Sequence, residues 1–133
     1  MGDGGRVIYT DGDRSRADQA RRYFERVGVS QRVVVRVGDA LEILSEEKEP
    51  YDIIFNDVDK LDYPRAFRLA LPRIKSGGLF IADNVLWKGK LARPNPDEQT
   101  RAIFEFNRLI YASKDLFTTI LPIRDGVAVC IKK

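Results

Sequence analysis

Apolar runs rich in β-branched residues alternate along this chain with segments of helical period, the pattern of βα units around a mostly parallel sheet. Val7-Ile8-Tyr9-Thr10 predicts a first strand. From Arg14 to Val27 the apolar positions Ala17, Ala20, Phe24 and Val27 recur at helical spacing, and Gly28 stands where a C-terminal stop belongs. Val33 to Val37 predicts a second strand, after which Asp39 is placed to cap a short helix through Ser45, with Glu42 at the capping-box position. Tyr51 to Phe55 is a near-continuous apolar run, as expected of a strand buried on both faces. A helix is predicted from about Tyr63 to Ile74, turning Ala66, Phe67, Ala70 and Leu71 inward, and Ser76-Gly77-Gly78 reads as a turn into the strand Leu79 to Ala82. Beyond Pro94 and Pro96, the stretch from Asp97 to Tyr111 places Ala102, Ile103, Phe106, Leu109 and Ile110 on one helical face. Phe117 to Ile123 and Val127 to Ile131, joined by Arg124-Asp125-Gly126, predict a closing antiparallel hairpin, Asp-Gly being a strong turn signal.

Length and composition narrow the chemistry. The 133 residues, 44% of them hydrophobic, match one domain with a real core. There is no histidine, which excludes Ser-His-Asp and Cys-His nucleophiles, histidine bases and imidazole-ligated zinc, and the lone Cys130 can form neither an intrachain disulfide nor a thiolate cluster. Acid–base work falls to Lys, Asp, Glu or Tyr, and any metal must be held by oxygen. No apolar run reaches the roughly 18 to 20 residues of a membrane span, and the start of the chain shows no signal-peptide pattern, so a cytoplasmic protein with no membrane partner is expected. The formal charge of +3 is spread along the chain. Its densest basic run, Arg14 to Arg26, is interleaved with Asp13, Asp18 and Glu25 and reads as a solvated helix face; no nucleic-acid partner is expected.

In an open α/β sheet, ligands bind beyond the carboxyl ends of the strands. Acidic and amide residues collect at those ends: Asp11 and Asp13 after the first strand, Asp39 after the second, Asp57 and Asp59 after the third, Asp83 and Asn84 after the fourth. Each alone is commonly a cap or turn residue. Four successive strands ending this way point instead to a cation or a hydroxyl-rich ligand among them, because converging carboxylates repel. All-oxygen ligands favour Mg²⁺, Mn²⁺ or Ca²⁺. Lys60 breaks the run of negative charge, and spacing leaves two readings open for it: a general base, or an ion pair with Asp57 or Asp59.

The residues Phe55-Asn56-Asp57-Val58-Asp59-Lys60-Leu61-Asp62-Tyr63 and Gly77-Gly78-Leu79-Phe80-Ile81-Ala82-Asp83-Asn84-Val85-Leu86-Trp87-Lys88-Gly89 resemble the two signature blocks of the cation-dependent O-methyltransferases, of the caffeoyl-CoA and catechol type, which use S-adenosylmethionine. The likeness continues through Thr100-Arg101-Ala102-Ile103 and Leu121-Pro122-Ile123-Arg124-Asp125-Gly126, nearly the whole chain. It implies a Rossmann-like methyltransferase sheet, mostly parallel with a C-terminal antiparallel hairpin. It also implies that Asp57, Asp83 and Asn84 hold the divalent metal and that Lys60 is the catalytic base. On the cofactor side, Asp11 would accept from the ribose hydroxyls, Asp39 and Ala40 would contact the adenine, and Asp57 would adjoin the same molecule. Tyr63 and Trp87 would lie near an aromatic diol substrate, core packing being the other role open to Tyr63. A homodimer is the implied assembly.

The resemblance begins inside the family's sheet: Gly2-Asp3-Gly4-Gly5-Arg6-Val7 matches the loop leading into the family's second strand. The expectation is therefore one N-terminally truncated domain, 1–133, with the first family strand and the glycine-rich cofactor loop missing. The strands at Val7 and Val33 would then close onto Tyr51 to Phe55, have the gap filled by another chain, or belong to a fragment. Two alternatives remain. One is a non-catalytic methyltransferase remnant; the other is a phosphoacceptor receiver domain, with Asp11 and Asp13 on Mg²⁺ and Asp57 phosphorylated, against which stand Asp83-Asn84 and Pro122-Ile123 where a receiver wants Ser or Thr and Lys-Pro.

Overall fold

The computed structural model describes residues 4–133; of the glycine-rich start, Gly2 and Asp3 lie outside the described residues. The chain has the expected α/β character and divides into two compact units, Met1–Glu47 and Lys48–Lys133. The reason lies in the hydrogen-bonded ladders, which form a two-stranded sheet and a four-stranded sheet rather than one continuous sheet.

In the first unit, β1 (Val7–Asp11) and β2 (Val33–Val37) pair in parallel, Asp11 level with Val37. Between them runs α1 (Arg14–Arg26), whose N-terminus is capped by the Asp13 carboxylate accepting from the Ser15 and Arg16 N–H groups at 2.7 and 3.3 Å. α2 (Ala40–Glu46) follows, capped in the same way by Asp39.

The second unit orders its strands β3 (Tyr51–Asn56), β4 (Ile74–Ala82), β6 (Val127–Lys132) and β5 (Leu116–Leu121). β3 and β4 are parallel, and β4–β6–β5 form the expected antiparallel end. Two boundaries move. α3 (Tyr63–Ala70) stops short of Ile74 because Leu71-Pro72-Arg73 tightens into a 3₁₀ turn at the proline. Ser76-Gly77-Gly78 lies inside β4 as a bulge, where the register with β3 jumps from Tyr51↔Ile74 to Ile53↔Leu79.

α3 and α4 (Glu98–Ala112) cover one face of this sheet, where Phe67, Phe80 and Phe106 meet edge-on or tilted with centroids 5.6–6.2 Å apart. On the opposite face the row Ile53, Leu79, Ile131 and Phe117 runs across the four strands. There β3 departs from the expectation of burial on both sides, since Ile53 and Phe55 are 56% and 62% exposed.

Candidate active site

The parallel register of β3 and β4 sets Asn56 against Ala82, so the chain leaves both strands at the same level and Asp57 and Asp83 follow at one sheet edge. The turn after β3 is built by Asp59, whose carboxylate accepts from the Leu61 N–H at 3.0 Å and starts a 3₁₀ turn over Lys60–Asp62 that leads into α3. This brings the Lys60 amine back over the strand end. It lies 3.4 Å from Asp57 Oδ1, 4.4 Å from the Tyr63 ring centroid, and donates to the Tyr63 hydroxyl. Of the two sequence readings of Lys60, the ion pair is the one seen, and its partner is Asp57; the Lys60 side chain is 13% exposed while that of Asp57 is 59% exposed.

Tyr63 is fully buried, its ring 5.3 Å from that of Phe106, and its hydroxyl donates to the Asp83 main-chain carbonyl at 2.9 Å. Burial, reinforced by the negative charges of Asp57, Asp83 and Asp59, pushes the phenol far above its ordinary pKa, so it stays neutral and able to donate.

After β4 the backbone turns sharply. Asn84 takes φ 59° and its N–H donates to Asp83 Oδ1 at 2.7 Å, leaving Oδ2 of Asp83 outside this bond. The hairpin loop braces the turn: Val85 N–H donates to the Gly126 carbonyl at 3.1 Å and Leu86 N–H to the Asp125 carbonyl at 2.9 Å. Gly126 is required there, both for its φ of 82° and because a Cβ would stand 2.4 Å from Leu86 Cγ. Trp87 also has positive φ, 49°, and is held by its indole N–H donating to Thr100 Oγ1 at 3.1 Å. That strained stretch fixes the half-buried indole beside the Asp83-Asn84 turn.

In the first unit, Asp11 ends β1 and Asp39 follows β2 at the same edge of the two-stranded sheet. Asp11 accepts from the Asp13 N–H at 2.8 Å and the Tyr9 hydroxyl at 3.0 Å, with the Arg16 Nε at 3.4 Å. The Asp13 N–H above all holds its carboxyl below the usual range, partial desolvation working against it and the Tyr9 hydroxyl and Arg16 with it. Asp39 accepts from Leu41 and Glu42 N–H groups at 2.7 and 3.1 Å, and Ala40 is the first residue of the helix it caps.

Three residues of this region were not singled out by sequence reasoning. Asn56, 4% exposed, has a buried side-chain NH₂ without a partner. Its signal was an amide closing an otherwise apolar strand. Thr100 anchors Trp87, and Asn107 donates to the Val85 carbonyl at 2.8 Å; both lie on α4, where helical period alone marks them as unremarkable polar positions.

Comparison with known proteins supplies the lineage. The chain matches the O-methyltransferase family over residues 1–133. It belongs to that family. It is 34% identical over 139 residues to a catechol O-methyltransferase of Niastella koreensis, covering 97% of this chain and 63% of the relative. It is 30% identical over 140 residues to caffeoyl-CoA O-methyltransferase 1 of Arabidopsis thaliana, covering 95% of this chain and 54% of that protein. The crystal structure of an O-methyltransferase from Bacillus cereus in complex with SAH superimposes with a TM-score of 0.90 at 33% identity, covering all of this chain and 65% of that one. The chain therefore spans less than two thirds of the length of these relatives. Family membership replaces the receiver-domain alternative. Among the described residues no helix is long and apolar enough to cross a membrane.

Proposed function

We propose that this chain carries the metal-and-base portion of an S-adenosylmethionine-dependent O-methyltransferase acting on vicinal hydroxyls of an aromatic diol. The observation that carries the reading is the pairing of Asp57 and Asp83 at one strand edge with the Lys60 amine held over it.

The donor set fits a hard divalent cation. No group of three His, Cys, Asp or Glu side chains suited to a metal occurs among the described residues, and the proposed set therefore adds an amide to two carboxylates. Asn84 supplies one next to Asp83, and two carboxylates with an amide oxygen suit Mg²⁺ or Mn²⁺, which retain water or substrate oxygens in their remaining positions, and Ca²⁺ with more ligands. Asp57, Asp83 and Asn84 would hold the ion. When bound there it would supply Lewis-acid polarisation of a substrate hydroxyl. S-adenosylmethionine supplies the sulfonium-activated methyl group. Lys60 Nζ is the group assigned to take the hydroxyl proton of the diol. Trp87 offers its indole face to the aromatic ring. In the first unit, Asp11 has lone pairs left for the ribose hydroxyls of the cofactor after its bonds to Asp13 and Tyr9, and Asp39 and Ala40 stand for the adenine. A homodimer is the proposed assembly.

The test is methyl transfer from S-adenosylmethionine to catechol-type diols in the presence of Mg²⁺. Transfer that is abolished by EDTA and falls by about 10²-fold or more in Lys60→Ala supports the reading. Metal uptake without S-adenosylmethionine binding would establish the non-catalytic remnant instead. Transfer indifferent to EDTA would remove the metal from the mechanism.

A further inference from the structure

Tyr63 links two loops that the sequence separates by twenty residues. Its hydroxyl donates to the Asp83 carbonyl, so its proton is committed to the turn after β4, and the lone pairs left over face the Lys60 amine, which donates to them. The ring is locked on its other side by Phe106. A fully buried phenol has no open surface for a ligand. We propose that Tyr63 is a positioning residue: a rigid strut that fixes the Lys60 amine and the Asp83-Asn84 turn at one spacing, acting on the reaction through those two groups rather than by touching substrate. This rests on the roles of Lys60, Asp83 and Asn84 proposed above, and it turns the expected substrate contact at Tyr63 into one made through Lys60.

The geometry distinguishes a strut from simple packing. Packing needs the ring, which Phe would supply equally well; the strut needs the oxygen. Without it the Asp83 carbonyl and the Lys60 amine each lose a partner in a half-buried place, and the turn is left to the hairpin contacts of Val85 and Leu86.

The experiment compares the wild-type chain with Tyr63→Phe in two measurements. Hydrogen exchange read by mass spectrometry is expected to show the amides of residues 84–86 exchanging about tenfold faster in the variant, one hydrogen bond's worth of local opening, while the α4 amides from Ile103 to Ile110 are unchanged. Mn²⁺ binding, followed by loss of the free-ion EPR signal with no cofactor present, is expected to weaken about tenfold, as for other groups that orient metal ligands. Unchanged exchange at 84–86, or an equal acceleration at every amide, overturns the strut. Faster exchange at the turn with unchanged Mn²⁺ affinity also overturns it, because the link would then be structural only. If wild-type chain takes up no Mn²⁺ at millimolar concentration, the metal reading fails and the positioning role falls with it; unchanged exchange at 84–86 in a chain that does take up Mn²⁺ overturns the strut alone.

Discussion

The two units treat the same sequence device differently. In both, apolar strands end in aspartates. In the first unit only Ala17 and Leu41 are buried apolar residues among those described, the sheet has two strands, and the aspartates serve nearby backbone: Asp13 caps α1, Asp39 caps α2 and Asp11 holds the Asp13 N–H. In the second unit a four-stranded sheet and two helices enclose Tyr63, Phe67, Phe80, Phe106, Ile103 and Ile110. On that frame Lys60, Tyr63 and the Asp83 carbonyl are joined by bonds that span separate loops. A two-stranded sheet with so little core is marginal by itself, whereas a packed aromatic cluster can hold charged groups where solvent and repulsion would scatter them. The same residue type therefore serves as a cap at Asp13 and Asp39 of the first unit, and stands at the edge of a packed sheet at Asp57 and Asp83 of the second.

The sharpest way to break this contrast is to remove the core under the second unit. Phe106→Ala, fully buried against three aromatic rings, is expected to lower stability by about 3–5 kcal/mol in urea unfolding. A loss below about 1 kcal/mol would mean that the aromatic cluster does not carry the unit. Asp39→Ala in the first unit should lose about 1 kcal/mol, the worth of a helix cap, with the loss confined to that unit in hydrogen exchange. Acid sharpens the comparison further. Asp11 in one unit and Asp97, capping α4 in the other, both titrate below the ordinary carboxylate range, the latter held down first by its hydrogen bonds with Thr100. Their stabilisation is complete above the unfolded carboxylate value of about 4 and is lost as the pH falls through the lower folded values. Melting temperatures flat from pH 7 to 5 and falling below pH 4 are expected, with Asp11→Asn removing part of the fall. The smallest effect belongs to the bare sheet face: Phe55→Ser should change stability by no more than about 0.5 kcal/mol, because its side chain is already in solvent.

Much of this was legible from residue pattern. Strand and helix positions followed from β-branched runs and helical period, Asp39 and the Asp-Gly hairpin behaved as turn chemistry dictates, and the clustering of acids at strand ends pointed to the edge where Asp57 and Asp83 stand. What escaped was whatever depends on contacts distant in sequence. The bulge at Ser76-Gly77-Gly78 looks like a turn until β3 is beside it, and the exposure of Phe55 cannot be told from burial by apolarity alone. The place of Tyr63 was ambiguous for the same reason: a tyrosine at the start of a helix says nothing of a carbonyl twenty residues away.

The central claim is that the strand edge of the second unit, and not that of the first, holds a divalent cation. It is tested most directly by titrating Mn²⁺ into the wild-type chain and into Asp83→Ala and Asp11→Ala, with free ion read by EPR. Saturable uptake of one ion per chain, lost in Asp83→Ala and kept in Asp11→Ala, is the predicted result. No uptake by the wild type, or equal uptake by Asp83→Ala, would contradict it.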